Sequence, residues 1–112
     1  MASCCCASRA AYIRTLRLLL AREPEELADW QALVRQLLAA DDVPAAQTAM
    51  AGFITQFPQR EEPLLLACEV AVALRDQEAL QHALAQLRAL PVTLSPEALR
   101  VIRYWTREVQ HG

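Results

Sequence analysis

The stretch LADWQALVRQLLAADDVPAAQTAMAGFITQFPQR, residues 27–60, decides the fold. Its first half places Trp30, Leu33, Val34 and Leu37 at the i, i+3, i+4, i+7 spacing that lines one face of a helix. Its second half does the same with Ala46, Met50 and Phe53. Between them stands Asp42, whose carboxylate can accept the orphan amides of a helix starting near Val43. Pro58, with no amide proton to donate, ends that helix. The stretch therefore reads as two helices joined by a tight turn.

Working outward, the same marks return 34 residues on in each direction. Pro24, Pro58 and Pro91 are separated by 34 and 33 residues, and each follows an amphipathic run. Tyr12, Leu16 and Leu19 correspond to Ala46, Met50 and Phe53, and then to Leu80, Leu84 and Leu87. The other helix type recurs as Leu64, Ala67, Cys68 and Ala71, and again as Ala98, Val101, Ile102 and Trp105. Asp76 repeats the capping role of Asp42. Ser95-Pro96-Glu97 opens a last helix with a cap, a proline at the first position and an acid facing the positive dipole end. Leu94 and Leu99 could staple that start. The spacing predicts six helices, at about 8–22, 25–40, 43–57, 62–75, 77–90 and 96–110.

Composition agrees with an all-α chain. Of 112 residues, 21 are Ala and 18 Leu, strong helix formers, against 3 Ile and 7 Val. Two Gly leave no material for a phosphate-cradling loop or for hairpin turns that need positive φ. All 11 basic residues are Arg, the net charge is −2, and bulk nucleic-acid binding is disfavoured. Residues 1–22 hold four Arg and no acid, whereas residues 23–62 hold two Arg and eight acids. An Arg-bearing, acid-free opening also describes a transit peptide, but this one keeps the repeat register, which favours a cytoplasmic protein. The apolar run Leu64 to Leu74 is interrupted by Glu69 and is too short to span a bilayer, so no membrane insertion is expected.

Cys4-Cys5-Cys6 and Cys68 form neither a disulfide framework nor a zinc set with His82 and His111. The reading is a disordered tip over residues 1–7, a single helical domain over 8–112, and one core thiol. No two reactive groups stand at a meaningful spacing, so neither an enzyme nor a cofactor is expected.

Residues 27–60 resemble the tetratricopeptide repeat (TPR) family, with Trp30, Leu33, Leu37, Ala46, Met50, Phe53 and Pro58 at the family's spacing. Residues 61–91 resemble a degenerate second unit, with Leu64 in place of Trp and Leu80 in place of the small Ala. Where the family prefers Gly, this chain has Val34, Asp41, Cys68 and Arg75. The resemblance implies a short TPR-like α-solenoid: two helical-hairpin repeats flanked by a half-repeat at each end, the first helix being the second half of a unit and the sixth the first half of one. It also implies a concave wall made by the first helix of each repeat. Carried over residue by residue, its positions are Gln31, Arg35, Leu38 and Ala39, then Leu65, Glu69, Val72 and Ala73, then Leu99, Arg103, Thr106 and Arg107. The family's peptide-carboxylate clamps use Lys and Asn, and this chain has neither. An apolar trough with Arg at its edges suits an amphipathic helix laid into a groove.

Glu62-Pro63-Leu64-Leu65-Leu66-Ala67-Cys68-Glu69, the Ala/Leu helix after it and the proline-initiated last helix with Arg107 are similar to the C-terminal half of the small TPR-like needle-subunit chaperones of bacterial type III secretion. That likeness implies a bacterial chaperone that, with a second small helical chaperone, holds the amphipathic helix of a polymerising client. An adaptor that joins two larger proteins is the other reading, and Arg14 and Arg17 against the acidic segment from Glu23 to Asp29 could favour head-to-tail self-association.

Overall fold

The computed structural model describes the backbone of residues 2–111 and the side chains of residues 8–108. Over that range the chain is all-α and repeat-like. Its six helices are α1 (Ala2–Arg22), α2 (Leu27–Ala39), α3 (Val43–Gln56), α4 (Glu61–Ala73), α5 (Gln77–Arg88) and α6 (Pro96–His111). There is no strand among the described residues. The stretch read in sequence as one domain divides into two compact units, Met1–Gln56 and Phe57–Gly112, of three helices each. The tip expected over residues 1–7, with its cysteine run, lies outside the described side chains.

Helix starts follow the local chemistry. The Asp42 carboxylate accepts from the Ala45 amide at 3.3 Å, and Asp76 accepts from Ala79 at 3.1 Å. The Ser95 hydroxyl accepts from Ala98 at 3.1 Å. A partner absent from the sequence reading completes this last cap: the Glu61 carboxylate, 34 residues back, accepts from the Ser95 amide at 2.8 Å and from the Ser95 hydroxyl. That places a negative charge at the dipole's positive end and ties the start of α4 to the start of α6.

The helix ends also keep the 34-residue beat. Asp41 and Arg75 have φ of 61° and 55°, in the left-handed region. Each follows a helix whose last carbonyls are closed by paired bonds, Asp41 to Leu38 and Asp42 to Leu37, then Arg75 to Val72 and Asp76 to Ala71. This is a glycine-type helix stop built on residues that carry a Cβ. Aspartate tolerates the left-handed region and arginine does so poorly. Arg75→Gly is therefore expected to stabilise the chain by about 1 kcal/mol, read as a raised urea midpoint at unchanged slope. The same change at Asp41 should gain less.

In the first unit α2 lies between α1 and α3 and buries Leu33, Val34 and Leu37 against Ala46, Ala49, Met50 and Phe53. The Trp30 and Phe53 rings are parallel, centroids 6.1 Å apart. The Trp30 indole N–H donates to the Pro24 carbonyl at 2.7 Å. A Cβ on Gly52 would meet the indole at 3.0 Å, so glycine at that position gives the ring its seat. On α1 the buried stripe is Ile13, Leu16 and Leu20, while Tyr12 and Leu19, expected on it, stand 45% and 44% exposed. Helix α1 meets α2, and Tyr12 and Leu19 lie outside the stripe that this contact buries.

The core of the second unit is Cys68 and Ala71 from α4 against Leu80, Ala83 and Leu84 from α5. Ala67, Val72, Ile102 and Trp105 pack around it. Helix α4 is buried on more than one side, at Pro63, Leu64, Leu66, Cys68, Val70 and Ala71, as its nearly continuous apolar sequence requires.

Candidate functional site

The second unit holds a cleft of about 550 Å³ where the end of α4, the start of α5 and the second half of α6 meet. Ala71, Val72, Leu80 and Trp105 give it an apolar lining, and Arg75, Asp76, Gln77 and Glu108 surround that lining with polar groups. The sequence builds it locally. The left-handed turn at Arg75 reverses the chain within three residues, so Val72 and Leu80 come to one side of the hairpin. Trp105 reaches the same side from α6, its ring held edge-on by Tyr104 at 4.8 Å. A space of this size and lining takes an apolar side-chain cluster and has polar groups at hand for a peptide's own polar atoms.

The concave-wall positions taken from the repeat resemblance divide between the units. In the first, Gln31 and Leu38 are half-buried on α2, and Arg35 and Ala39 are exposed. In the second, Leu65 and Val72 are half-buried and Glu69 and Ala73 exposed on α4. Leu65 lies two turns before Val72 on the same helical side. Along α6, Leu99, Arg103 and Arg107 are exposed, and Leu99, 48% exposed, is not buried as a staple would be. Thr106 is half-buried and accepts a hydrogen bond from Arg88 of α5.

Of these positions Val72 lines the cleft. By their spacing in the sequence the cleft's other members are expected elsewhere: Trp105, Leu80 and Ala71 in the core, Asp76 at a cap. Arg75 and Glu108 carried no signal beyond charge, although Arg75 standing where repeats prefer glycine marked the turn that shapes the site. Among the described residues no three His, Cys, Asp or Glu side chains come close enough to hold a metal ion. No described helix is long and apolar enough to cross a membrane. Comparison with protein-family models, with curated proteins and with solved structures finds no match.

Proposed function

We propose that this protein is a non-enzymatic binding module of the TPR-like kind, a small cytoplasmic chaperone that holds an amphipathic helix of a client. The observation that carries the reading is the cleft of about 550 Å³, apolar at Val72, Leu80 and Trp105 and polar at Arg75, Gln77 and Glu108. An amphipathic helix offers the complement, an apolar stripe between charged flanks. The half-buried Leu65 lies on the same side of α4 as Val72, with the exposed Glu69 between them, and at the start of the helix the Arg60 and Glu62 side chains pair at 2.8 Å. The resemblance to needle-subunit chaperones of bacterial type III secretion gives this reading its sharpest form, a client that would polymerise if left free, held together with a second small helical chaperone. The adaptor reading rests on the same repeat-like helices.

The test is affinity capture of the tagged chain from a lysate of its own organism, read by mass spectrometry beside a Leu65→Asp, Arg75→Glu variant. Both positions lie outside the buried cluster of the second unit, so helicity and melting should hold. The chaperone reading expects a short, aggregation-prone helical protein on the wild type and at least a tenfold loss on the variant, about 1.4 kcal/mol of binding. Two large folded partners, retained by both forms, would instead establish the adaptor.

A further inference from the structure

Helices α4 and α6 start side by side, where the Glu61 carboxylate accepts from the Ser95 amide at 2.8 Å and from the Ser95 hydroxyl. They run the same way, because the end of α4 and the second half of α6 both line the cleft. The two helices are therefore pinned at their starts and stand apart toward their ends. Burial follows the same gradient. Ala98, close to the pin, has no exposed surface, whereas Val101, Ile102, Trp105 and Thr106 are half-buried, and no described residue of α6 beyond Ala98 is fully buried. Helix α4, by contrast, is buried from Pro63 and Leu64 through to Val70 and Ala71. Ile102 and Trp105 pack against the core of α4 and α5 without being enclosed by it. Among the described residues, the hydrogen bond that ties the second half of α6 to another helix is the exposed one from Arg88 to Thr106. Residues 89–95 link α5 to α6, a connection of seven residues against three between α4 and α5.

We propose, resting on the reading of the cleft as the seat of a client's helix, that α6 is a hinged jaw: it pivots about the Glu61–Ser95 contact, and its second half opens and closes the cleft. Segments with little buried apolar contact are the ones that move locally while the packed remainder holds. The remainder here is the seam of Cys68 and Ala71 with Leu80, Ala83 and Leu84, which stays shut throughout. At a rise of about 1.5 Å per residue, Trp105 stands about 15 Å along the axis from Ser95, so a tilt of about 15° carries it about 4 Å. That is the width of an apolar side chain. Tilted outward, α6 admits the apolar stripe of an amphipathic helix, and its return lays Trp105 over that stripe. Glu61 is a positioning residue in this motion. It lies at the opposite end of α4 from the cleft and fixes the axis on which the jaw turns.

Spin-label distances from electron paramagnetic resonance test it on the free chain, with Cys4, Cys5 and Cys6 replaced by alanine and Cys68 left in its core. Leu65→Cys with Leu99→Cys reports on the pinned ends, and Ala73→Cys with Arg107→Cys on the open ends. Both pairs are 34 residues apart, so a rigid stack holds them alike. The open-end pair should give a distance distribution about twice as wide as the pinned pair. Glu61→Ala should widen the pinned pair to match, with far-UV circular dichroism unchanged, and Glu61→Gln, which keeps one acceptor oxygen, should fall between. If Glu61→Ala loses helicity, Ser95→Ala removes the hydroxyl's share of the pin and should widen the pinned pair less. Equal and narrow distributions at both ends overturn the proposal, as does a pinned pair that ignores Glu61→Ala. So does a wide open end whose NMR chemical shifts show residues 98–105 no longer helical, since that is fraying and not a pivot. No client enters the measurement, so a rigid α6 leaves the chaperone reading standing, and failure to capture a client leaves the pivot standing.

Discussion

Phe53→Ala is expected to cost about 3–5 kcal/mol, the range for truncating a fully buried aromatic ring. Phe53 has no exposed surface, and its ring lies within 3° of parallel to Trp30. Removing it leaves a cavity whose walls cannot easily collapse. The indole on one side is pinned by its bond to the Pro24 carbonyl and by the close fit over Gly52. Small domains have a net stability of about 5–15 kcal/mol, and a three-helix unit sits at the low end, so the loss should take most of what the first unit has. Urea titration followed by Trp30 emission in a Trp105→Phe background reads that unit selectively, because the two tryptophans lie in different units. Phe53→Leu, which keeps most of the volume, should cost about 1–1.5 kcal/mol. A loss below about 1 kcal/mol for the alanine variant would mean that the ring is not part of a packed core.

Much of the fold is legible in the sequence because its signals are local. The caps at Asp42, Asp76 and Ser95 form as their residue types dictate, and every helix boundary from α2 onward falls within about three residues of its expected place. What local signals do not carry is which neighbour covers a stripe. The register equates Tyr12 and Leu19 with buried positions of α3 and α5, but on α1 the contact with α2 buries Ile13, Leu16 and Leu20 instead. The periodicity runs through Gln56 and Phe57 without a break, so the division into two compact units leaves no mark in it. The cleft escapes for a related reason. Its members come from three helices, and Trp105 has the same 3.6-residue spacing whether it closes a core or lines an opening. Glu61 was invisible for yet another: its bond to Ser95 spans 34 residues and exists once α4 and α6 are side by side.

Cys68 should react with thiol reagents about a hundredfold more slowly at pH 8 than an ordinary cysteine, because the thiolate is the reactive form and burial pushes this thiol up to about 11 from 9.0. Its side chain is 2% exposed, between Ala71, Leu80, Ala83 and Leu84, where an anion would find no donor or cation. Only the neutral form fits. The raised value therefore also sets a pH dependence of stability. In the unfolded chain the thiol ionises near 9, while in the folded chain it keeps its proton until about 11, so unfolding releases a proton in that window. The stabilisation is complete below pH 9 and is lost as the pH rises toward 11. Alanine at Cys4, Cys5 and Cys6 leaves Cys68 as the lone thiol, and its labelling can then be timed in buffer and in urea. Urea should restore the ordinary rate. In the same background Cys68→Ala should remove this share of the fall in stability between pH 9 and 11, while adding a small constant loss from the cavity. Labelling at the ordinary rate in buffer would require α4 and α5 to part often enough to expose the thiol, and would mean that this seam is not a closed core.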